Sequence, residues 1–276
     1  MHGAPVSMLL RRADRTGECA LTPSDAGWRY IGFEVHVLAP GARLNVDLAT
    51  RECGIIVLSG IVDIDARAGG RWSGVGGRAG VFEAPPHGVY LPAGNGASIA
   101  ASSAAQVALC FAESARTGAA RRIEPQGIEI ETRGAGQATR SIRHVIAPEF
   151  PAHRLLVVEV LTPSGNWSSY PPHKHDVDAP PGEVALEEVY YHRQQPADGF
   201  AFQRVYTDDR AIDETLTVQD GDLVLVPRGY HVVAQAYGYQ GYYLNVLAGE
   251  RRSMAASDDA PYRWIRDEWR SHGTAQ

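Results

Sequence analysis

His173 and His175 stand two residues apart in the stretch Ser168-Ser-Tyr-Pro-Pro-His-Lys-His-Asp176. On an extended strand that spacing turns both imidazoles to one face, and two imidazoles side by side begin a metal site. Glu188 follows in the strand-like run Leu-Glu-Glu-Val-Tyr-Tyr, and His231 follows Gly221-Asp-Leu-Val-Leu-Val-Pro-Arg-Gly-Tyr. Three histidines and a carboxylate suit zinc, iron(II), manganese or cobalt, and the donor set alone does not choose among them. A lone histidine pair is more often a satisfied surface feature. The conjunction with Glu188 and with a histidine behind Pro227-Arg-Gly229 favours the metal.

Such residues need elements that bring them together. Glycine and proline, 29 and 17 in number, punctuate short runs rich in Val, Ile and Tyr, the pattern of an all-β sandwich or barrel. Strands are predicted over 28–38, 54–66, 80–84, 88–92, 97–101 and 105–112 in the first half. In the second they are predicted over 141–146, 154–162, 186–193, 200–206, 215–219, 222–227, 231–236 and 241–247. The polar stretch 114–127 reads as a linker or a crossing strand, and 133–139 as a loop. In the tail, Asp258-Asp-Ala-Pro261 can cap and start a helix, and Tyr262, Ile265 and Trp269 recur at helical spacing. A weak repeat relates Pro92-Ala-Gly94 to Pro227-Arg-Gly229, with Gly96 where the second half has His231. The segment Leu44-Asn-Val-Asp-Leu-Ala-Thr50 has no histidine. We therefore expect two similar barrels, residues 1–125 and 126–276, of which only the second holds a metal, with a short C-terminal helix.

Composition narrows the function classes. The chain has 276 residues, 44% of them hydrophobic, enough for a packed core. A net charge of -6 argues against a general nucleic-acid binder. The arginine pairs Arg11-Arg12, Arg121-Arg122 and Arg251-Arg252 are isolated and read as solvated loop charges. Cys19, Cys53 and Cys110 show no CxxC spacing, and the last two lie in apolar runs as small buried hydrophobes. No run approaches the ~18 apolar residues of a membrane span, and Met8-Leu-Leu10 is too short for a signal sequence. A cytoplasmic protein with no membrane partner is the expectation. His36 and His87 are lone histidines that read as structural.

The order His-x-His, Glu before a hydrophobic strand, then Gly-x5-Pro-x-Gly followed by His, resembles the cupin superfamily of jelly rolls, whose three His and one Glu bind a divalent metal. The gap from His175 to Glu188 exceeds the usual cupin spacing, which predicts an inserted Pro-rich loop at 177–185. The longer stretch Glu159-Val-Leu-Thr-Pro-Ser-Gly-Asn-Trp-Ser-Ser-Tyr-Pro-Pro-His-Lys-His-Asp176 is similar to the 5-deoxy-glucuronate isomerases of myo-inositol catabolism, as are Gln203-Arg-Val-Tyr-Thr-Asp-Asp-Arg210 and Tyr242-Tyr-Leu-Asn-Val-Leu-Ala-Gly249. That family is related to the 5-keto-4-deoxyuronate isomerases of pectin breakdown, which are zinc bicupins. The likeness is strong from about Glu159 to Gly249 and weak in the first half. It implies His173, His175, Glu188 and His231 as ligands of a metal, zinc in the first place and Fe2+ or Mn2+ as alternatives. It also implies an aldose–ketose isomerisation of 5-deoxy-D-glucuronate to 5-dehydro-2-deoxy-D-gluconate.

That reaction needs a base and a cation for the substrate carboxylate. Strand parity turns Glu188, Tyr190 and His192 to one face and Glu187, Val189 and Tyr191 to the other. The base candidates are Glu188, Glu187, His192 and Tyr190. Arg204 shares a face with Phe202 and Tyr206; if that face lines the barrel, its guanidinium would want an anion. Tyr243 and Asn245 share a face of the last strand and could line the pocket, whereas Lys174 should point away from the flanking histidines. Two other readings stay in view: another metal cupin such as an iron(II) dioxygenase, and a non-catalytic sugar-binding cupin. Related bicupins associate, which leaves a homo-oligomer open.

Overall fold

A computed structural model describes residues 8–10 and 18–271; Arg11-Arg12 lies outside them. The expected all-β architecture of two jelly rolls is present. In the first half, a six-stranded antiparallel sheet runs in the order Arg121–Ile123, Gly88–Leu91, Arg51–Ser59, Ala105–Glu113, Ile31–Leu38, Cys19–Leu21. It faces a four-stranded sheet of Arg43–Asp47, Gly96–Ala101, Ile61–Ala66 and Arg71–Gly76. In the second half, seven strands run Leu9–Leu10, Leu223–Val226, Glu187–Gln195, Gln240–Ala248, Leu155–Thr162, Arg140–Ile146, Glu129–Arg133. Opposite them lie Asp213–Gln219, Phe200–Tyr206, Tyr230–Gln235, Trp167–Lys174 and Ser257–Asp258. The strand at Leu9–Leu10 thus pairs with the second barrel, against Leu223 and Val224, although it precedes the first.

The two large sheets pack face to face, and this layering explains the sequence pattern. Alternate residues Cys53, Ile55 and Val57 fill the first barrel, while Ile56 and Leu58 join the core shared between barrels. In the second half, Tyr190 faces its own barrel and Val189 and Tyr191 face the shared core. All eight residues of Leu155–Thr162 are buried. A strand covered on both faces loses the apolar–polar alternation that would mark its ends. The run 54–66 is accordingly two strands, Arg51–Ser59 and Ile61–Ala66, reversed at Gly60. Gly60 has a φ of 78°, and a Cβ there would lie 2.2 Å from the Ala104 carbonyl oxygen. Residues 80–84 form turns, not a strand, and part of 114–127 is the edge strand Arg121–Ile123. The C-terminal helix spans Trp264–Ser271 after a 3-10 turn, and buries Ile265 and Trp269 against Ala138.

Three carboxylates, two buried and one half-buried, fasten the barrels. Glu52 of the first accepts the backbone N–H groups of His153 at 2.7 Å, Arg154 at 2.6 Å and Leu155 at 2.8 Å, where a second-barrel strand begins. Reciprocally, Glu187 of the second accepts those of Arg29 at 2.7 Å, Tyr30 at 2.8 Å and Ile31 at 2.9 Å, where a first-barrel strand begins. Glu159 takes the Arg78 guanidinium from the first barrel at 2.6 and 3.1 Å, and also Arg143 at 3.1 Å and the Tyr242 hydroxyl at 2.9 Å. Glu159 and the Arg78 side chain are almost wholly buried. Removing one partner of such a group strands charges in the core, at a cost of ~3–5 kcal/mol. Glu159→Ala should therefore lower the denaturant midpoint by that amount of stability, and an unchanged midpoint would show that the cluster does not hold the barrels together.

Candidate metal centre

The Trp167–Lys174 strand lies against Tyr230–Gln235, with His173 directly opposite His231. The ladder is irregular between Ser168 and His173, and Ser169 adopts a left-handed φ of 48°. His175 follows the strand end, and its ring centroid lies 5.1 Å from that of His231. Glu188 enters from the opposite sheet, where Glu187–Gln195 is held between Leu223–Val226 and Gln240–Ala248. Facing strands of one jelly roll thus bring together residues far apart in sequence.

His175, Glu188 and His231 are buried, and their nearest donor atoms all lie within 4.8 Å of one another. Glu188 Oε2 is 2.8 Å from His175 Nε2 and 3.1 Å from His231 Nε2. His173 stands beside this trio rather than within it, partly exposed, with ring centroids 4.7 Å from His231 and 6.5 Å from His175.

The proton arrangement suits a cation. Nδ1 lies against a backbone carbonyl in all three histidines: Pro171 at 3.1 Å for His173, Leu186 at 3.2 Å for His175 and Gly229 at 3.2 Å for His231. With Nδ1–H donating there, each Nε2 keeps its lone pair, the tautomer a metal ligand needs. Nε2 of His231 is buried and has no hydrogen-bond partner among the described residues. A buried nitrogen left so is expensive, and a cation between it and Glu188 is what would satisfy it. Asn245 Nδ2 donates to the other Glu188 oxygen at 2.7 Å and orients the carboxylate.

Electrostatics agree with a site built for positive charge. Burial alone would raise the Glu188 carboxyl, but the His231 and His175 imidazoles and the Asn245 hydrogen bond bring it down to about 2. Burial lowers His173 well below its usual value and lowers His231, keeping both unprotonated. His175 is the exception: burial pulls it down, but Glu188 more than offsets that, and the net direction is up.

Beside the trio lies a cavity of about 290 Å³, with Ser169, His173, His175, Glu188, Tyr190, Tyr243 and Asn245 on its wall. Ser169 Oγ is 2.9 Å from the Tyr190 hydroxyl and 3.4 Å from that of Tyr243. Burial first, then the Glu188 charge, pushes the Tyr190 phenol well above its ordinary value, so it is a proton donor at neutral pH.

Three expectations need correction. Arg204 does not line the barrel. It is on the outer surface, bidentate to Asp213 at 2.8 and 2.9 Å, with Phe202 exposed beside it. Its strand turns Gln203 and Val205 inward instead. Glu187 is committed to the barrel contact and is absent from the cavity wall. His192 has the predicted parity but sits behind Tyr190, stacked on it with ring centroids 6.1 Å apart, and bonds Gln203 at 2.8 Å. Lys174 does turn away, to Asp176 and Glu183, and Glu183 folds the 177–185 loop back by accepting the Asp176 and Val177 N–H groups. His36 and His87 face Glu34 and Glu124. The sequence reading missed Ser169 and a basic group at the cavity: Arg133, Arg140, His144 and Arg266. Parity within Arg140–Ile146 would have placed Arg140 and His144 on one face with Ile142, but that strand was predicted to begin at 141.

These observations define a two-barrel cupin with a His/Glu centre in one barrel. The chain belongs to the KduI/IolB family, whose model matches residues 8–265. It is 48% identical to a 5-deoxy-glucuronate isomerase of Geobacillus kaustophilus over 89% of both chains. To the Bacillus subtilis strain 168 protein of the same name it is 42% identical, over 89% of this chain and 91% of that one. An IolB-like protein of Salmonella typhimurium LT2 superposes with a TM-score of 0.91 at 38% identity, covering 94% of this chain and 99% of that one. An oxalate decarboxylase of Lactobacillus farciminis superposes at 0.65 with 14% identity over 93% and 90%, a likeness of fold alone. No helix among the described residues is long and apolar enough to cross a membrane.

Burial holds His192 neutral, lowering it from 6.5 to about 4. The folded protein then binds fewer protons than the unfolded chain between those values, so stability falls as pH drops through that window. The stability advantage of wild type over His192→Gln should shrink by about 3 kcal/mol between pH 7 and pH 4, measured by denaturation of metal-free protein. A constant difference would show that His192 is not held neutral.

Proposed function

We propose that this protein is a 5-deoxy-glucuronate isomerase acting in myo-inositol catabolism, with one divalent metal held by His173, His175, Glu188 and His231. Zinc is the first choice and Fe2+ or Mn2+ the alternatives; the setting is cytoplasmic, and residues 126–276 form the metal-binding unit. The observation that carries the reading is the convergence of lone-paired imidazole nitrogens on a buried carboxylate beside a polar cavity. The near full-length relatives named for this activity supply the substrate.

A metal held there supplies Lewis acidity toward the negative charge that develops on the sugar's carbonyl and neighbouring hydroxyl oxygens. The isomerisation itself moves one proton from the carbon beside the aldehyde to the aldehyde carbon, and one from hydroxyl to carbonyl oxygen. The protein must therefore hold and pass protons. His192 and Glu187 are off the cavity wall, which leaves Glu188 and Tyr190 among the original candidates for that work. The Tyr190 and Tyr243 hydroxyls meet at Ser169 Oγ, forming a short chain along which a proton can move beside the substrate. Asn245 fixes the Glu188 carboxylate and so the position of the whole centre.

His231→Ala should lose metal, measured by elemental analysis, together with solvent-proton incorporation into 5-deoxy-glucuronate. Asn245→Ala should keep the ligands but bind metal about 10–100-fold more weakly. Full turnover in metal-free His231→Ala would overturn the assignment, and turnover that requires oxygen would replace it with a dioxygenase.

A further inference from the structure

The cavity holds more positive charge than the metal centre explains. Arg133, Arg140, His144 and Arg266 all reach its wall. Three of them are already matched by acids. Arg133 is bidentate to Glu131 at 2.6 and 2.7 Å, His144 bonds the same carboxylate at 3.0 Å, and Arg266 is paired with Asp258 at 2.7 Å. Arg140 differs. Only 3% of it is exposed, its guanidinium donates to the Ala138 carbonyl at 3.0 Å, and among the described residues no carboxylate is paired with it. The Trp269 ring of the C-terminal helix lies 5.8 Å from it, a neutral neighbour that holds the fork without discharging it. Burial lowers its pKa only to about 10, so it is charged at neutral pH.

A buried guanidinium with no acid against it is costly unless an anion arrives. The same cavity wall carries polar groups suited to a sugar: hydroxyls from Ser169, Tyr190 and Tyr243 and the amide of Asn245. We propose that Arg140 receives the carboxylate of the sugar-acid substrate and thereby sets a preference for uronates over neutral aldoses. This rests on the isomerase reading for the identity of the substrate, and gives Arg140 the role that the sequence had suggested for Arg204. The fork of a guanidinium matches the two oxygens of a carboxylate, which holds the far end of the sugar while its aldehyde end faces the histidines.

The test is equilibrium binding of D-glucuronate and of D-glucose to metal-loaded protein at pH 7, with bound metal measured alongside. Wild type should bind glucuronate at least about tenfold more tightly than glucose, the lower end of what a charge-assisted hydrogen bond contributes. Arg140→Gln should bring that ratio close to one with metal content and glucose binding unchanged, while Arg204→Gln keeps the wild-type ratio. Should Arg140→Gln not fold, Arg140→Lys carries the same test, because the charge stays and the fork is lost; its ratio should fall at least about threefold. A wild type that does not discriminate, a ratio unchanged by substitution at Arg140, or equal losses for both sugars would overturn the proposal. A protein that shows the Arg140-dependent preference but does not isomerise 5-deoxy-glucuronate would keep the anchor and overturn the isomerase reading instead.

Discussion

The organising constraint of the second barrel is a carboxylate in a place where a bare charge cannot remain. Glu188 is 2% exposed, inside a jelly roll whose other inward residues include Val158, Val224 and Val226. An isolated carboxylate there would take up a proton rather than stay charged. Asn245 donates to one oxygen, and the other faces the Nε2 atoms of two imidazoles, where a cation would balance its charge. The three imidazoles could hold a metal only as the right tautomer, and three backbone carbonyls fix their Nδ1 protons. The strand irregularity before His173 and the loop folded by Glu183 bring the donors to that one point.

Much of this was legible in the sequence. Two-residue spacing and a histidine after Pro-x-Gly named the residues that now surround Glu188, and parity separated Glu188, Tyr190 and His192 from Glu187 and Tyr191. What parity cannot say is which face is inside. For Arg204 the aromatic neighbours left inside and outside open; Phe202 is 46% exposed and Val205 is buried. Parity also cannot give depth: His192 is on the right face but one layer behind the cavity. Arg140 escaped notice because its meaning depends on what is not beside it, namely an acid, and pairing partners across a sheet are not written in local sequence.

The first barrel carries different residues at the positions that match the centre of the second. Register relates Arg51–Ser59 to Glu187–Gln195 and Gly96–Ala101 to Tyr230–Gln235. Cys53 then stands where Glu188 does, Gly96 where His231 does, and Asp47, opposite Gly96, where His173 does. Cys53 is fully buried among Ile55, Val57 and Leu109, and burial raises its thiol well above the ordinary value. A protonated thiol in an apolar interior is packing material. With its donors replaced, this barrel fills with side chains.

Glu187 and Glu188 are consecutive on one strand and point to opposite sides of it, one into the contact with the first barrel and the other into the imidazole cluster. A single peptide unit therefore joins the seam of the molecule to its reactive centre. The first half acts as a jig: by gripping Glu187 through three main-chain amides it ties the strand that carries the neighbouring carboxylate to the seam between the barrels.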